Sequence, residues 1–299
     1  MKELKQAKSY EEQVKHLVDH HGMVIDDPDA AIKILSSVNY YRLSAYGIGL
    51  YRPDDKERFV DGITLNHVFR LYQFDSALRN LLIPVIEWIE IEFRTRISYC
   101  LAMNYGSEGY RDPSNFTRKR TGSGEGIHSK TMNNLDEEIR RQSNLPCVKH
   151  HNEVYGGHFP IWAAMELFTF GMACSLFSVC LETDQKQIAR EYDTIPKYLN
   201  SWMQAILELR NRCAHYNRIY NMFFKQTPHL YKEYQPFRNN KLFPHLLAMK
   251  RLAEKTTVWS TFTKSLVKLM KEYPEAQPAF MGFPENWEEI LLSSEETKQ

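Results

Sequence analysis

The chain of 299 residues carries 38 Lys and Arg against 37 Asp and Glu, a net charge of +1. That balance excludes a surface built wholly as a basic nucleic-acid clamp, and it excludes an acidic disordered tail. Hydrophobic residues at 43% supply a sizeable core, while 13 Gly and 13 Pro leave few of the turns an all-β fold needs. The cysteines Cys100, Cys147, Cys174, Cys180 and Cys213 are odd in number and widely spaced, so neither a disulfide framework nor a zinc finger is expected. Residues 1–20 hold no apolar core of a secretory signal. No apolar run approaches the ~20 residues of a membrane helix. A reduced, cytoplasmic protein off the membrane is the expectation.

In chain order, Ser9 with Glu12 three residues on forms a capping-box pattern that opens a helix to about His20. Asp27-Pro28 opens a second, with Pro in the first turn where its missing N–H costs nothing. The tyrosine-rich NYYRLSAYGIGLYR reads as a short helix and loop. Thr64 caps a helical pattern running to about Asn104, and Pro84 predicts a kink or break within it. Leu82, Val85, Ile86, Ile89, Phe93 and Ile97 form its buried stripe, with Glu90→Arg94 and Glu92→Arg96 as i, i+4 ion pairs.

Residues 105–130 read as a loop containing Arg118-Lys119-Arg120 and then TGSGEG. It lacks the strand-to-helix context and the Gly-Lys-Ser/Thr ending of a phosphate loop, but the basic triplet suits contact with a phosphate backbone. His150, His151 and His158 lie near Cys147 at a spacing that fits no standard zinc site, so no metal is expected there. Helical periodicity resumes at Pro160 and runs through IPKYLNSWMQAILELRNRCAH, and two more helices follow between about Phe243 and Tyr273. The fold class is all-α. Three segments are expected: an N-terminal helical segment over 1–60, a helical core over 61–225 with an insertion at about 105–159, and a C-terminal helical extension over 226–299.

The chemistry concentrates between Leu199 and Asn221. Leu199, Trp202, Met203, Ile206, Leu209 and Cys213 share one helix face roughly 100–120° wide, and Arg210 falls near its middle. A guanidinium there needs either a carboxylate partner, such as Glu90, Glu87 or Glu166, or a cleft or subunit interface where an anion binds. Asn211, His215, Asn217, Arg218 and Asn221 follow, a set able to hold phosphate and move a proton. On a straight helix Arg210 and His215 diverge by about 140°. Either the helix ends before His215 or two helices build the site, as they would across a two-fold axis.

Arg210-Asn211-Arg212-Cys213-Ala214-His215 resembles the R-x4-6-H motif of HEPN-domain ribonucleases. The wider chain resembles the Abi-like abortive-infection proteins of bacterial phage defence. The matching blocks are LSSVNYYRLSAY (35–46), LYQFDSALRNLLIPVIEWIEIEFRTRISY (71–99), DPSNF (112–116), HHNEVYGGHFPIWAAMELFTFG (150–171) and SWMQAILELRNRCAHYNRIYN (201–221). This chain has Tyr216 and Tyr220 where relatives more often carry His and an aromatic such as Trp.

The resemblance implies a HEPN-like all-α bundle in which two motifs meet in a homodimer and cut RNA without metal or cofactor. Arg210 and His215 would be the catalytic pair and Asn211 the positioning residue, with Glu90 and Arg94 in support. Arg118, Lys119, Arg120, Asn217 and Arg218 would contact the RNA. Some relatives are tied to a small non-coding RNA, a candidate regulator of such a toxic nuclease. The alternative is a non-catalytic module gripping RNA or a protein with the same patch, aided by Arg140 and Arg141.

Overall fold

The computed structural model describes Leu4 and residues 6–293. The outermost parts of the first and last expected segments, residues 1–3, 5 and 294–299, lie outside the described residues. Ser9 and Glu12 close the full capping box at the head of α1 (Tyr10–Asp19). Asp27 accepts from the Ala30 N–H at 3.0 Å to start α2 (Pro28–Ser37). The tyrosine-rich block becomes α3 (Tyr40–Ser44) and a 3-10 turn, Ala45–Gly47. Thr64 caps α4 (Leu65–Tyr105), a 41-residue helix roughly 60 Å long.

Of the kink or break expected at Pro84, a break does not occur; α4 passes through it as continuous helix. Pro84 and Asn80, whose carbonyl loses its i+4 donor, are both exposed. Water can satisfy that carbonyl, so the proline costs less than it would on the buried face.

Beyond α4 the loop contains two 3-10 turns and ends at Gly126, four residues short of the expected limit, where α5 (Ile127–Arg141) begins. Then come α6 (Pro146–Tyr155), α7 (Ile161–Ala164), α8 (Phe170–Val179), α9 (Glu182–Arg190) and α10 (Pro196–Ala214). The C-terminal segment gives α11 (Phe243–Ala253), α12 (Thr257–Glu272) and a short α13 (Trp287–Leu292). Among the described residues there is no strand, only isolated bridge pairs. None of their helices is long and apolar enough to cross a membrane.

α4 is the axis, with α8, α9, α10, α11 and α12 packed along it. Its predicted stripe is fully buried, and Phe93 meets Phe170 and Phe177 edge-on. α8 runs antiparallel to α10: Gly171 faces Leu207, while the Cys174 thiol lies 3.9 Å from the Met203 carbonyl. α11 is buried continuously from Phe243 to Lys250. Lys250, 2% exposed, donates to the Ile290 carbonyl at 2.7 Å, a cation at the C-terminal end of α13. One hydrophobic core runs from Val14 to Leu291 through all three segments.

Candidate active site at the end of α10

α10 ends just before His215, the first of the two arrangements open to the motif. Pro196 opens it, and its apolar stripe is buried from Leu199 to Cys213. The Asn217 N–H returns to the Arg212 carbonyl at 2.9 Å and the Tyr216 N–H to Cys213 at 3.1 Å. That is the double bond of a Schellman cap, with His215 as C-cap and Tyr216 in the left-handed position usually given to glycine (φ 55°). The chain turns sharply there and leaves His215 exposed.

Two contacts from earlier in the chain hold this strained turn. Arg42, on α3, donates to the Tyr216 carbonyl. Asp75, fully buried on α4, accepts from the Ile219 and Tyr220 N–H groups at 3.0 and 2.7 Å, from the Tyr46 hydroxyl at 2.7 Å and from Arg79. Asn221, also left-handed at φ 50°, donates to the Ile48 carbonyl at 2.9 Å. It passes so close to Gly49 (φ 99°) that a Cβ there would lie 3.3 Å from its amide. The 39–49 block therefore shapes the backbone that carries His215.

His215, Asn211 and Asn217 line an open groove of about 520 Å³ with Gln204, Glu208, Arg212, Lys225 and Gln226. Glu208 organises its floor, accepting from the Lys225 and Gln226 N–H groups at 3.0 and 2.7 Å and pairing with Arg212 at 3.1 Å. Burial pushes the Glu208 carboxyl up, but those two N–H groups and the guanidinium outweigh it and hold it below the usual range. Lys225 and Gln226 arrive from a loop well beyond α10, and no periodicity in the sequence marks them.

Arg210 departs from the expectation of a guanidinium centred in the apolar stripe. Its side chain is 37% exposed, because the stem can follow the stripe while the head leaves it. The head lies 3.6 Å from Glu90, one of the three carboxylates named from sequence, and 3.5 Å from the Asn211 side-chain oxygen. Glu87 and Glu166 are exposed and are not its partners. Glu90 also holds Arg94, as the i, i+4 spacing predicts. A line of polar contacts thus runs from the His215 groove through Asn211, Arg210 and Glu90 to Arg94.

Arg94 lines a second hollow, of about 540 Å³, walled by Ile91, Tyr99, Met103 and Trp162. These four are 53–66% exposed, a stripe on the outward face of α4 continued by α7.

The other sequence candidates lie elsewhere. Lys119 donates to the Ser178 carbonyl and Arg120 to Gly124, each at 2.7 Å, while Arg118 is exposed. Ser178 is beside the N-terminal half of α10, so roughly 20 Å of helix separates the triplet from His215. Arg141 pairs with Glu138 at the end of α5. Arg218 turns back against Tyr46 and Met222 rather than into the groove, and burial lowers its pKa. His151 bonds the Cys147 carbonyl and packs edge-on against His150, while His158 pairs with Glu108.

A family model described as Abi-like protein matches residues 33–221. The span reaches from α2 to Asn221; it holds α4, α10 and the contacts of Arg42 and Asp75, but neither α1 nor α11–α13. No curated protein and no solved structure matches the chain.

Proposed function

The chain belongs to the Abi-like protein family, and from that membership we propose that it is a homodimeric, metal-independent endoribonuclease acting in abortive infection through the end of α10. The observation that carries this reading is the exposed His215 on a turn fixed by Arg42 and Asp75, joined through Asn211 to a half-paired Arg210.

RNA brings its own nucleophile, the 2′-OH, so the protein needs proton-transfer groups and a cation beside the developing phosphorane. His215 takes the 2′-OH proton as that oxygen attacks phosphorus. The same histidine of a second copy protonates the departing 5′-oxygen, leaving a 2′,3′-cyclic phosphate and a 5′-hydroxyl. Arg210, swinging from Glu90 towards the phosphate, offers a bidentate guanidinium to the extra negative charge. Asn211 orients it. The nearby carboxylates are engaged, Glu208 by Arg212 and two N–H groups and Glu90 by two arginines. That arrangement supports a reading without a carboxylate-held magnesium.

The apolar hollow beside Arg94 supports the second copy. It is contiguous with Arg210 through Glu90, so a chain docked on Ile91, Tyr99, Met103 and Trp162 would bring its own motif alongside. The binding-module alternative draws less support, since Lys119 and Arg120 already bond backbone carbonyls of their own chain.

The test is incubation of the full chain in EDTA with mixed RNA and with DNA of matching sequence. The expected result is RNA fragments ending in cyclic phosphate and intact DNA. RNA that is bound but left intact overturns the reading.

A further inference from the structure

We propose that His16, His20 and His21, completed by Glu57, form a site for one divalent transition-metal ion of the zinc class. None of these residues lines the α10 groove, although Tyr40, which touches His21, shares α3 with Arg42, which bonds the turn after α10. Its histidines precede the family-matched residues 33–221, and the proposal does not depend on the nuclease reading.

The three histidines come together because α1 ends among them. His16 is in its last turn, His20 is the C-cap one turn later, and His21 follows as the chain leaves the helix. The spacing i, i+4, i+5 puts the first two on one face, and the turn brings the third back towards them. All three ring pairs have centroids 4.9 Å apart. Each ring offers a nitrogen, and these nitrogens lie within 4.8 Å of one another.

The surroundings prepare the rings for an ion. His21 Nδ1 is 2.6 Å from the Glu57 carbonyl oxygen. With Nδ1 donating there, the lone pair is on Nε2. A ligand histidine is commonly fixed this way, its second nitrogen donating to a backbone carbonyl. The Tyr40 hydroxyl lies 3.2 Å from Nε2, and an ion would take its place. Glu57 also brings a carboxylate oxygen 3.4 Å from His20 Nε2, a fourth donor of negative charge. That charge matters twice, because the Arg58 guanidinium packs over Gly22, one residue beyond the cluster.

Three imidazoles and one carboxylate form a borderline nitrogen and oxygen set. It suits zinc and its neighbours in the first transition row and does not suit the all-oxygen preference of calcium or magnesium. Zn–N bonds of about 2.0–2.1 Å in a tetrahedron place ligand atoms about 3.3–3.4 Å apart. The rings must therefore close by an ångström or so, which His20, exposed, and His16, half-buried, can do by side-chain rotation. Closure would clip the end of α1 to the 52–58 loop, beside the existing bond from the Phe59 N–H to the His21 carbonyl.

The experiment uses the untagged full chain carrying Cys147→Ser, which removes the exposed thiol. Zinc chloride is titrated against a chromophoric chelator, and cobalt chloride is followed by its visible absorption. One ion per chain, a raised Tm and cobalt bands that His20→Ala abolishes are expected. His20→Ala should weaken binding by more than about 100-fold, and Glu57→Gln by about 10–100-fold. The double variant His150→Ala, His151→Ala should bind as the parent does. The metal-free Tm of each variant shows whether it folds; if His20→Ala does not, His16→Asn and Glu57→Gln carry the comparison. No stoichiometric ion, or equal affinity in the folded cluster variants and the parent, overturns the proposal.

Discussion

Two arginine–carboxylate pairs on α4 share the same i, i+4 spacing and differ in everything around them. Asp75–Arg79 is sealed, with side chains 0% and 5% exposed, and Asp75 accepts from two backbone N–H groups and a tyrosine hydroxyl besides its arginine. Glu90–Arg94 lies under the rim of an open hollow and shares its carboxylate with Arg210 at 3.6 Å. The sealed Asp75 carboxylate, with two bonds on each oxygen, serves as the anchor of the turn after α10. The open pair leaves the Arg210 guanidinium partly exposed and 3.6 Å from its carboxylate. Asp75 is saturated by its own chain and belongs to the scaffold, whereas Arg210 shares Glu90 with Arg94 and keeps donors open to solvent.

Removing the sealed anchor should have the largest effect on stability. Asp75→Ala leaves Arg79 buried without its carboxylate and frees the N–H groups of Ile219 and Tyr220. A loss of about 3–5 kcal/mol is expected, read by urea unfolding. A loss below about 1 kcal/mol would erase the contrast between the two pairs.

Acid should act next, through a buried group behind the groove. His245 accepts no proton readily: burial drives its pKa down to about 4, although the Lys241 and Gln226 carbonyls oppose that. The unfolded chain binds the proton near pH 6.5 and the folded chain does not. Its stabilising contribution is therefore complete above about pH 6.5 and is lost as pH falls towards 4. From pH 7 to pH 5 the loss is about 2 kcal/mol. His245→Gln should lack that part of the slope, and an unchanged slope would contradict the assignment.

The smallest effect sharpens the role of the turn itself. Tyr216 holds a left-handed conformation with its ring 70% exposed, so Tyr216→Gly relieves strain and loses little packing. A gain of about 0.5 kcal/mol is expected, measured as a shift in urea midpoint. A clear destabilisation would mean that the ring, rather than the Arg42 and Asp75 contacts, holds the turn.

Much of this fold is legible in the sequence because its signals are local. Ser9, Asp27 and Thr64 cap the helices they were expected to cap, and the stripes of α4 and α10 are buried as their periods dictate. The short α13 escapes notice because six residues carry too little period. Pro84 does not break α4, because its cost depends on which face it occupies. Within the site, the strings holding Arg210, Asn211 and His215 are visible, but a helical wheel cannot show where a long side chain ends. Nor can it show that Arg118–Arg120 falls near the far end of α10, since that follows from α8 running antiparallel. Asp75 and Arg79 could have been flagged, as charges set among the apolar Leu71, Phe74, Leu78 and Leu82.

The most direct test of the central claim is cleavage of RNA in EDTA by wild type, Arg210→Ala and His215→Ala, with product ends identified by mass spectrometry. Cyclic-phosphate products are expected from wild type, with a loss of about 10²–10⁴-fold in each variant and a Tm near that of wild type. Wild-type chain that leaves RNA whole, or folded variants that cut as fast as it does, would contradict the claim.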